Sequence, residues 1–187
     1  MPPKPPHINI PNPSRHLPSS PLKPQTVTSS TIQNSSISSS TSTENYPNGP
    51  ICVLNPNLYL YSEPTLKELY DFSVIINVAE ELTNYSQLLP NSIDYYFIPW
   101  SHNSHLFNDF QYLTSIIDKS LKANKKILIH CQCGVSRSAS LIIAYYMKFY
   151  NLNYNDAYNR LKEIVPQISP NLNLIYELIE WGDFLNS

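Results

Sequence analysis

Residues 126–140 read KILIHCQCGVSRSAS, and the fold class follows from this stretch. Its first four residues, Lys126 to Ile129, form a short and strongly apolar run that predicts a buried strand. Ser138 to Tyr150 predicts a helix that is apolar on nearly every side, which indicates a position inside the core. A buried strand that leads directly into a buried helix is typical of an α/β protein.

Patterns typical of strands and helices alternate on both sides of this stretch. Strands are predicted at Ile51 to Leu54, Leu58 to Tyr61, Ser73 to Ala79 and Tyr95 to Pro99, the last two as buried parallel strands. Helices are predicted as a short one after Thr65, then Phe110 to Ala123 with Asn108 or Asp109 as its cap, Asn155 to Val165, and Asn171 to Leu185. The sequence therefore predicts an α/β domain whose mostly parallel central sheet is flanked by helices.

The first fifty residues differ in composition from the rest. They hold eleven of the seventeen prolines, and the stretch from Thr26 to Thr43 consists mostly of Ser and Thr. Such a segment buries too little apolar surface to offset the entropy lost on ordering. We therefore expect residues 1–50 to be a disordered tail and residues 51–187 to be the folded domain.

Composition narrows the class of protein. The formal net charge is −2, and no basic patch indicates nucleic-acid binding. The sequence contains neither an apolar run long enough to span a membrane nor the apolar core of a signal peptide. Three cysteines are too few for the disulfide framework of a secreted protein. We expect a soluble intracellular monomer, in the cytoplasm or also in the nucleus.

The loop between the central strand and the buried helix has the features of an anion site. Ligands of α/β sheets bind beyond the carboxyl ends of strands. A loop that turns into a helix points several N–H groups at one spot, where the helix dipole adds positive charge. Gly134 supplies conformational freedom, and the planar fork of Arg137 suits two phosphate oxygens.

Cys131 adds a nucleophile to this loop. A thiol at a helix N-terminus beside an arginine is shifted toward the thiolate, which attacks phosphorus. The chemistry that this supports is hydrolysis of a phosphoester through a thiophosphoryl intermediate on Cys131, with no metal and no cofactor. The plain alternative is a buried cysteine and an unrelated surface arginine, but the Gly and Ser residues at specific offsets argue against it.

The string HCQCGVSRS at 130–138 fits the H-C-x-x-G-x-x-R-S signature of the protein tyrosine phosphatase superfamily. The Ser before the Arg, with AS following, resembles the dual-specificity branch. More narrowly, a YxxPW segment at 96–100 and an ISPN segment at 168–171 are similar to those of the fungal MAP-kinase phosphatases. The resemblance implies a phosphorylated protein as substrate, with a MAP kinase as the expected partner.

The resemblance also implies roles for single residues. Cys131 would be the nucleophile and Arg137 the phosphate ligand, with His130 tuning the thiolate and Ser138 stabilising it as it leaves. The remaining loop residues would bind the phosphate: Gln132, Cys133, Gly134, Val135 and Ser136. Asn171 would hold the shape of the loop by a hydrogen bond, although an asparagine at that position is equally well explained as a helix cap.

The expected acid is missing from the sequence. Members of the family usually carry an Asp a few residues after the Ile-Pro segment, to protonate the leaving oxygen. Here that place holds no carboxylate, and His102 lies nearest to it. An imidazolium can donate a proton near neutral pH, so His102 is the first candidate for the acid. His105 and Asp109 are the other candidates, and a further alternative is that none of these three residues acts as the acid. Because phenolate leaves more easily than an alkoxide, we expect a preference for phosphotyrosine.

The two other cysteines suggest a second hypothesis. A bond between Cys52 and Cys133 could brace the phosphate loop under oxidising conditions, or a neighbouring thiol could rescue a sulfenic acid on Cys131. The plain alternative is that Cys133 is a small residue tolerated in the loop.

Two further functions remain open from the sequence. The first is a non-catalytic protein that binds phosphotyrosine, which the missing Asp favours. The second is a thiol oxidoreductase built on Cys131 and Cys133, although their spacing differs from the usual redox motif.

Overall fold

A mixed sheet of five strands lies at the centre of the part of the chain that the computed structural model describes, residues 45–101 and 103–187. Its strands are Ile51–Leu54 (β1), Leu58–Tyr61 (β2), Val74–Asn77 (β3), Asp94–Phe97 (β4) and Ile127–His130 (β5). The helices within these ranges are Leu66–Leu69 (α1), Phe107–Lys122 (α2), Arg137–Phe149 (α3), Tyr154–Ile164 (α4) and Leu172–Leu185 (α5). The predicted α/β class is confirmed.

The strand order is β1-β2-β5-β3-β4, so β5 is the central strand. Only β1 and β2 pair antiparallel, while the other three pairings are parallel. His130 is the last residue of β5, and it lies opposite Tyr61 of β2 and Asn77 of β3. Segments that leave three neighbouring strands therefore meet beside the loop that follows β5.

The two faces of the sheet pack against different layers. Side chains alternate between the faces along each strand. Ile127 and Ile129 of β5 point into the large core formed with α2 to α5, whereas Leu128 points into a smaller cluster with Leu69 of α1 and Phe72. The run from Arg137 to Met147 in α3 is buried, as its all-round apolar character predicts.

The folded part begins earlier than residue 51. Tyr46 is only 3% exposed and belongs to the large core cluster. The carbonyl of Asn45 accepts a hydrogen bond from Nε2 of Gln167, at 2.7 Å. The expected boundary is therefore too late by at least five residues, because one aromatic side chain within a polar stretch is enough to hold the segment. Disorder of residues 1–44 stays a prediction, since they lie outside the described residues.

Two local expectations need correction. β4 is parallel but lies at the edge of the sheet, so its four side chains are only half-buried. α2 begins at Phe107 with Leu106 at the cap position, and neither Asn108 nor Asp109 caps it. The Leu106 N–H instead donates to Oε2 of Glu177, at 2.8 Å, so a carboxylate from α5 replaces the local cap. In the described ranges, each helix is too short or too polar to cross a bilayer.

Candidate active site

The loop of residues 131–136, here called the phosphate loop, connects β5 to α3. Its backbone is held by segments that leave the neighbouring strands and precede α5. The Glu63 N–H donates to the carbonyl of Gln132 at 3.1 Å, and the Ser169 N–H donates to the carbonyl of Val135 at 2.7 Å. Gly134 has a φ of +70°, which a residue with a side chain adopts only with strain. The loop is thus a fixed turn at the N-terminus of a buried helix.

Cys131 is the first residue of this loop and is 2% exposed. Its Sγ lies 3.1 Å from Oγ of Ser138, in the first turn of α3. When the sulfur carries a negative charge, the Ser138 hydroxyl can donate to it, because a hydroxyl is a donor and a thiolate only an acceptor. The contact places Ser138 where its predicted role requires it.

Arg137 is buried, and its guanidinium is held on one edge. Nη1 donates to Oε2 of Glu81 at 2.7 Å and to the Trp100 carbonyl at 2.9 Å, while Nη2 donates to Oε1 of Glu81. Nε is buried and has no hydrogen-bond partner among the described residues. Nε and Nη2 form the edge with which an arginine binds two oxygens of one anion. The guanidinium is therefore oriented as a phosphate ligand requires.

His130 ends β5 and is 1% exposed. Neither ring nitrogen has a hydrogen-bond partner within the described ranges. Burial lowers the pKa of His130 to about 3, because an imidazolium would lose its hydration there. His130 is thus neutral near pH 7, which argues against tuning of the Cys131 thiolate by a positive charge on the imidazole.

The three cysteines are free thiols, so the structure contains no bond between Cys52 and Cys133. Cys52 of β1 pairs with Tyr59 of β2, and Tyr59 pairs with Leu128 of β5. Cys52 therefore lies two strands away from β5, which leads into the loop that holds Cys131 and Cys133. The bond between Cys52 and Cys133 is expected under oxidising conditions, and it stays a prediction.

Cys133 lies in the phosphate loop and is half-buried. Burial raises the pKa of its thiol, and a negative charge on Cys131 raises it further. A protonated thiol is a poor nucleophile. This favours Cys133 as a loop residue and not as a second reactive group.

Asn171 both caps a helix and makes a hydrogen bond to the phosphate loop, the two roles expected from the sequence. Its side chain caps α5, since Oδ1 accepts from the Leu174 N–H at 2.9 Å. Its backbone N–H donates to Oγ of Ser136 in the phosphate loop, at 3.2 Å. The contact to the loop therefore comes from the main chain of Asn171.

The acid candidates have different positions. His102 lies outside the described residues, so its role stays a prediction. His105 is exposed and its Nδ1 lies 3.1 Å from Oε1 of Glu177, on α5. Asp109 accepts a hydrogen bond from the indole Nε1 of Trp100, at 2.7 Å. Asp109 thus fixes Trp100, whose carbonyl binds Arg137. This structural role accounts for Asp109 without a role as the acid.

Two residues of the site escaped the sequence analysis. Glu81 follows the carboxyl end of β3, the strand next to β5, and that position was the available signal. Tyr46 donates its hydroxyl to the carbonyl of Gly134 at 2.6 Å, and nothing in the polar sequence around it indicated this contact.

Comparison with known proteins agrees with this geometry. Residues 58–184 match the family model described as dual specificity phosphatase, catalytic domain. The chain is 52% identical over 145 residues to the tyrosine-protein phosphatase MSG5 of Saccharomyces cerevisiae, an alignment that covers 75% of this chain and 30% of that protein. It is 39% identical over 160 residues to the tyrosine-protein phosphatase pmp1 of Schizosaccharomyces pombe, covering 77% and 58%. The chain spans less than two thirds of either relative.

A solved structure shows the same fold. The crystal structure of human DUSP28 superposes with a TM-score of 0.66 and covers 75% of this chain and 97% of that one. Their sequences are 20% identical. The similarity therefore extends over the sheet and its helices, and at this identity it concerns the fold alone.

Proposed function

The chain belongs to the family of dual specificity phosphatase catalytic domains, and from that premise we propose that it hydrolyses phosphotyrosine in proteins through a thiophosphoryl intermediate on Cys131. The observation that carries the proposal is the pairing of two contacts. Cys131 lies against Ser138, and Arg137 is fixed by Glu81 and Trp100, while its Nε has no partner among the described residues. Nucleophile and phosphate ligand thus occupy one loop.

The reaction has two displacements. The Cys131 thiolate attacks phosphorus, so that an S–P bond forms and the ester P–O bond breaks. The leaving oxygen takes a proton, which we assign to His102. The oxygen of a water then attacks phosphorus while one of its protons returns to His102, the S–P bond breaks, and inorganic phosphate and the thiolate are released. The Ser138 hydroxyl stabilises the thiolate that returns, and loop N–H groups with Arg137 stabilise charge on the phosphoryl oxygens in both steps.

The proposed substrate is a MAP kinase phosphorylated on tyrosine, with phosphothreonine and phosphoserine as poorer targets. The support is the resemblance of the YxxPW and ISPN segments to those of the fungal MAP-kinase phosphatases. In the structure, both segments touch the phosphate loop or its arginine: Trp100 through its carbonyl, and Ser169 and Asn171 through their N–H groups. The proposed compartment is the cytoplasm, with the nucleus as the second site.

A substrate trap tests this function. Cys131→Ser should bind phosphoprotein without turning it over, so incubation with lysate followed by mass spectrometry identifies what it retains. The control is Cys131→Ser combined with Arg137→Ala, which removes the phosphate ligand. We expect a tyrosine-phosphorylated MAP kinase to be retained by the single variant and lost from the double one. Equal recovery by both variants would count against the proposal.

The second candidate function is binding of phosphotyrosine without turnover. The lack of a carboxylate in the few residues directly after Pro99 favours it. Single-turnover trapping separates the two. Rapid acid quench of the wild-type protein with a phosphorus-labelled phosphotyrosyl peptide should give label bound to protein, and Cys131→Ser should give none. Peptide binding without any labelled protein would favour the second candidate.

A further inference from the structure

Three carbonyl groups of the phosphate loop accept hydrogen bonds from donors in distant parts of the chain. Two of these donors are main-chain N–H groups. The third is a side chain, the only one of the three that a point mutation can remove while leaving the backbone intact. The pairs are Glu63 N–H with the Gln132 carbonyl, Ser169 N–H with the Val135 carbonyl, and the Tyr46 hydroxyl with the Gly134 carbonyl.

A peptide unit is planar and trans, so its carbonyl and its N–H point in opposite directions. Because the Gly134 carbonyl points at the Tyr46 hydroxyl, the N–H of Val135 points away from Tyr46. Hydrogen bonds in series also strengthen one another, so a donor on the carbonyl makes that N–H a better donor. We infer that Tyr46 is a positioning residue of this site, which holds the Gly134–Val135 peptide so that its N–H binds the phosphoryl oxygen. This inference rests on the proposed function of the same loop.

The surroundings of Tyr46 fix its hydroxyl in one place. Its ring packs edge-on against Tyr61, with the ring centroids 5.4 Å apart. It also lies directly against Gly134, where an added Cβ would clash with the Tyr46 ring. The bond from Gln167 to the Asn45 carbonyl anchors the preceding residue at 2.7 Å. A ring that is packed on two sides, with the residue before it anchored, can hold the loop in turn.

The hydroxyl also stays a donor. Burial raises the pKa of Tyr46, and a negative charge on Cys131 raises it further. The phenol therefore keeps its proton when the nucleophile is ionised, which is the state in which the loop must bind substrate. An acceptor at this position would instead repel the Gly134 carbonyl.

The test compares two buried tyrosines that make the same kind of bond. Tyr146 donates its hydroxyl to the Val53 carbonyl at 2.6 Å, as Tyr46 does to Gly134, but its acceptor lies in β1 and not in the phosphate loop. Tyr46→Phe and Tyr146→Phe should lose similar thermal stability, since each removes one buried hydroxyl. Only Tyr46→Phe should weaken binding of tungstate, a tetrahedral oxyanion, by about five- to tenfold, the effect of one hydrogen bond.

The kinetics give a second readout. In Tyr46→Phe we expect kcat/KM for a phosphotyrosyl peptide to fall by about tenfold, with kcat falling as well, because the N–H acts on the transition state. Tyr146→Phe should match the wild type. Unchanged tungstate affinity in Tyr46→Phe, or an equal loss in both variants, would overturn the role of Tyr46.

Failure of the proposed function gives a different result. If the wild-type protein does not hydrolyse the peptide, the phosphatase proposal fails, while tungstate binding still decides the role of Tyr46. If Tyr46→Phe is recovered unfolded, Gln167→Ala replaces it, because that change frees residue 45 and keeps the tyrosine. A two- to threefold weaker tungstate affinity is then expected for Gln167→Ala, and an unchanged affinity would overturn the inference.

Discussion

The Glu81 carboxylate receives a hydrogen bond from each terminal nitrogen of the Arg137 guanidinium. The pair joins the segment after β3 to the first residue of α3, and the Trp100 carbonyl adds a bond to Nη1 at 2.9 Å. A flexible arginine is thereby reduced to one orientation before substrate arrives. Preorganisation of this kind lowers the cost of binding a charged ligand.

Replacement of Glu81 should therefore impair phosphate binding without removing the arginine. Glu81→Gln keeps the size of the side chain but loses one of two charge-assisted bonds, and we expect kcat/KM to fall about ten- to a hundredfold, or about 1.4 to 2.7 kcal/mol. Steady-state kinetics with a phosphotyrosyl peptide measure this. The control is Glu80→Gln, an exposed neighbour that should behave as the wild type. Equal activity of the two variants would contradict the role of Glu81.

The chain offers a matched pair of glycines for testing the shape of the phosphate loop. Gly134 and Gly49 both have positive φ, +70° and +83°, but a Cβ at Gly134 would meet the Tyr46 ring whereas one at Gly49 would meet nothing within 4 Å. Gly49→Ala should cost about 1 kcal/mol of unfolding free energy from backbone strain alone. Gly134→Ala should cost about 1–3 kcal/mol more and abolish tungstate binding. Urea denaturation gives the difference, and similar losses in both variants would argue against the close approach.

The buried imidazole of His130 predicts a pH dependence of stability. Its folded-state pKa is lowered to about 3 from an ordinary value of 6.5, so between these values the unfolded chain binds a proton that the folded chain does not. The stability contributed by neutral His130 is complete above pH 6.5 and is lost as the pH falls, by about 1.4 kcal/mol per pH unit. His130→Gln removes this group, and its unfolding free energy should fall less steeply. Urea titrations at roughly pH 7, 6 and 5 test the slope, and parallel curves for variant and wild type would refute the prediction.

The rate of dephosphorylation should depend on whether the leaving group is the phenolate of tyrosine or the alkoxide of threonine. Tyrosine ionises near pH 10, and an aliphatic hydroxyl holds its proton far more tightly, so weak acid assistance slows phosphothreonine more than phosphotyrosine. We expect at least about a tenfold higher kcat/KM for phosphotyrosine in otherwise identical peptides, because general acids contribute roughly 10²- to 10⁴-fold. His102→Ala should widen the ratio, while His105→Ala should leave it unchanged. Comparable turnover of both peptides would remove the support for this preference.

The strands and the position of Cys131 could be predicted because their signals are local. The apolar run from Lys126 to Ile129 and the HCQCGVSRS string each lie within ten residues. The first forms most of the central strand, and the second spans the end of that strand, the loop after it and the start of the next helix. Burial of β4 could not be predicted in the same way. A strand has the same local pattern at the centre and at the edge of a sheet, and the strand order decides its burial.

The supporting residues were missed because their partners lie far away in sequence. Glu81 meets Arg137 across 56 positions, and Tyr46 meets Gly134 across 88. Tyr46 also lies in a stretch with Pro47, Asn48 and Gly49, whose composition is typical of a loop. A single buried aromatic residue has no periodicity, so the pattern that finds helices and strands does not detect it.

The donors that shape the phosphate loop come from residues as far apart as Tyr46 and Ser169. A nascent chain that has emerged only as far as α3 already carries Cys131, Arg137 and Glu81, yet it lacks the N–H that holds the Val135 carbonyl. Phosphate affinity should therefore arise late during synthesis, once the segment before α5 has left the ribosome. Long-range assembly of this kind would make oxyanion affinity a direct report of complete folding.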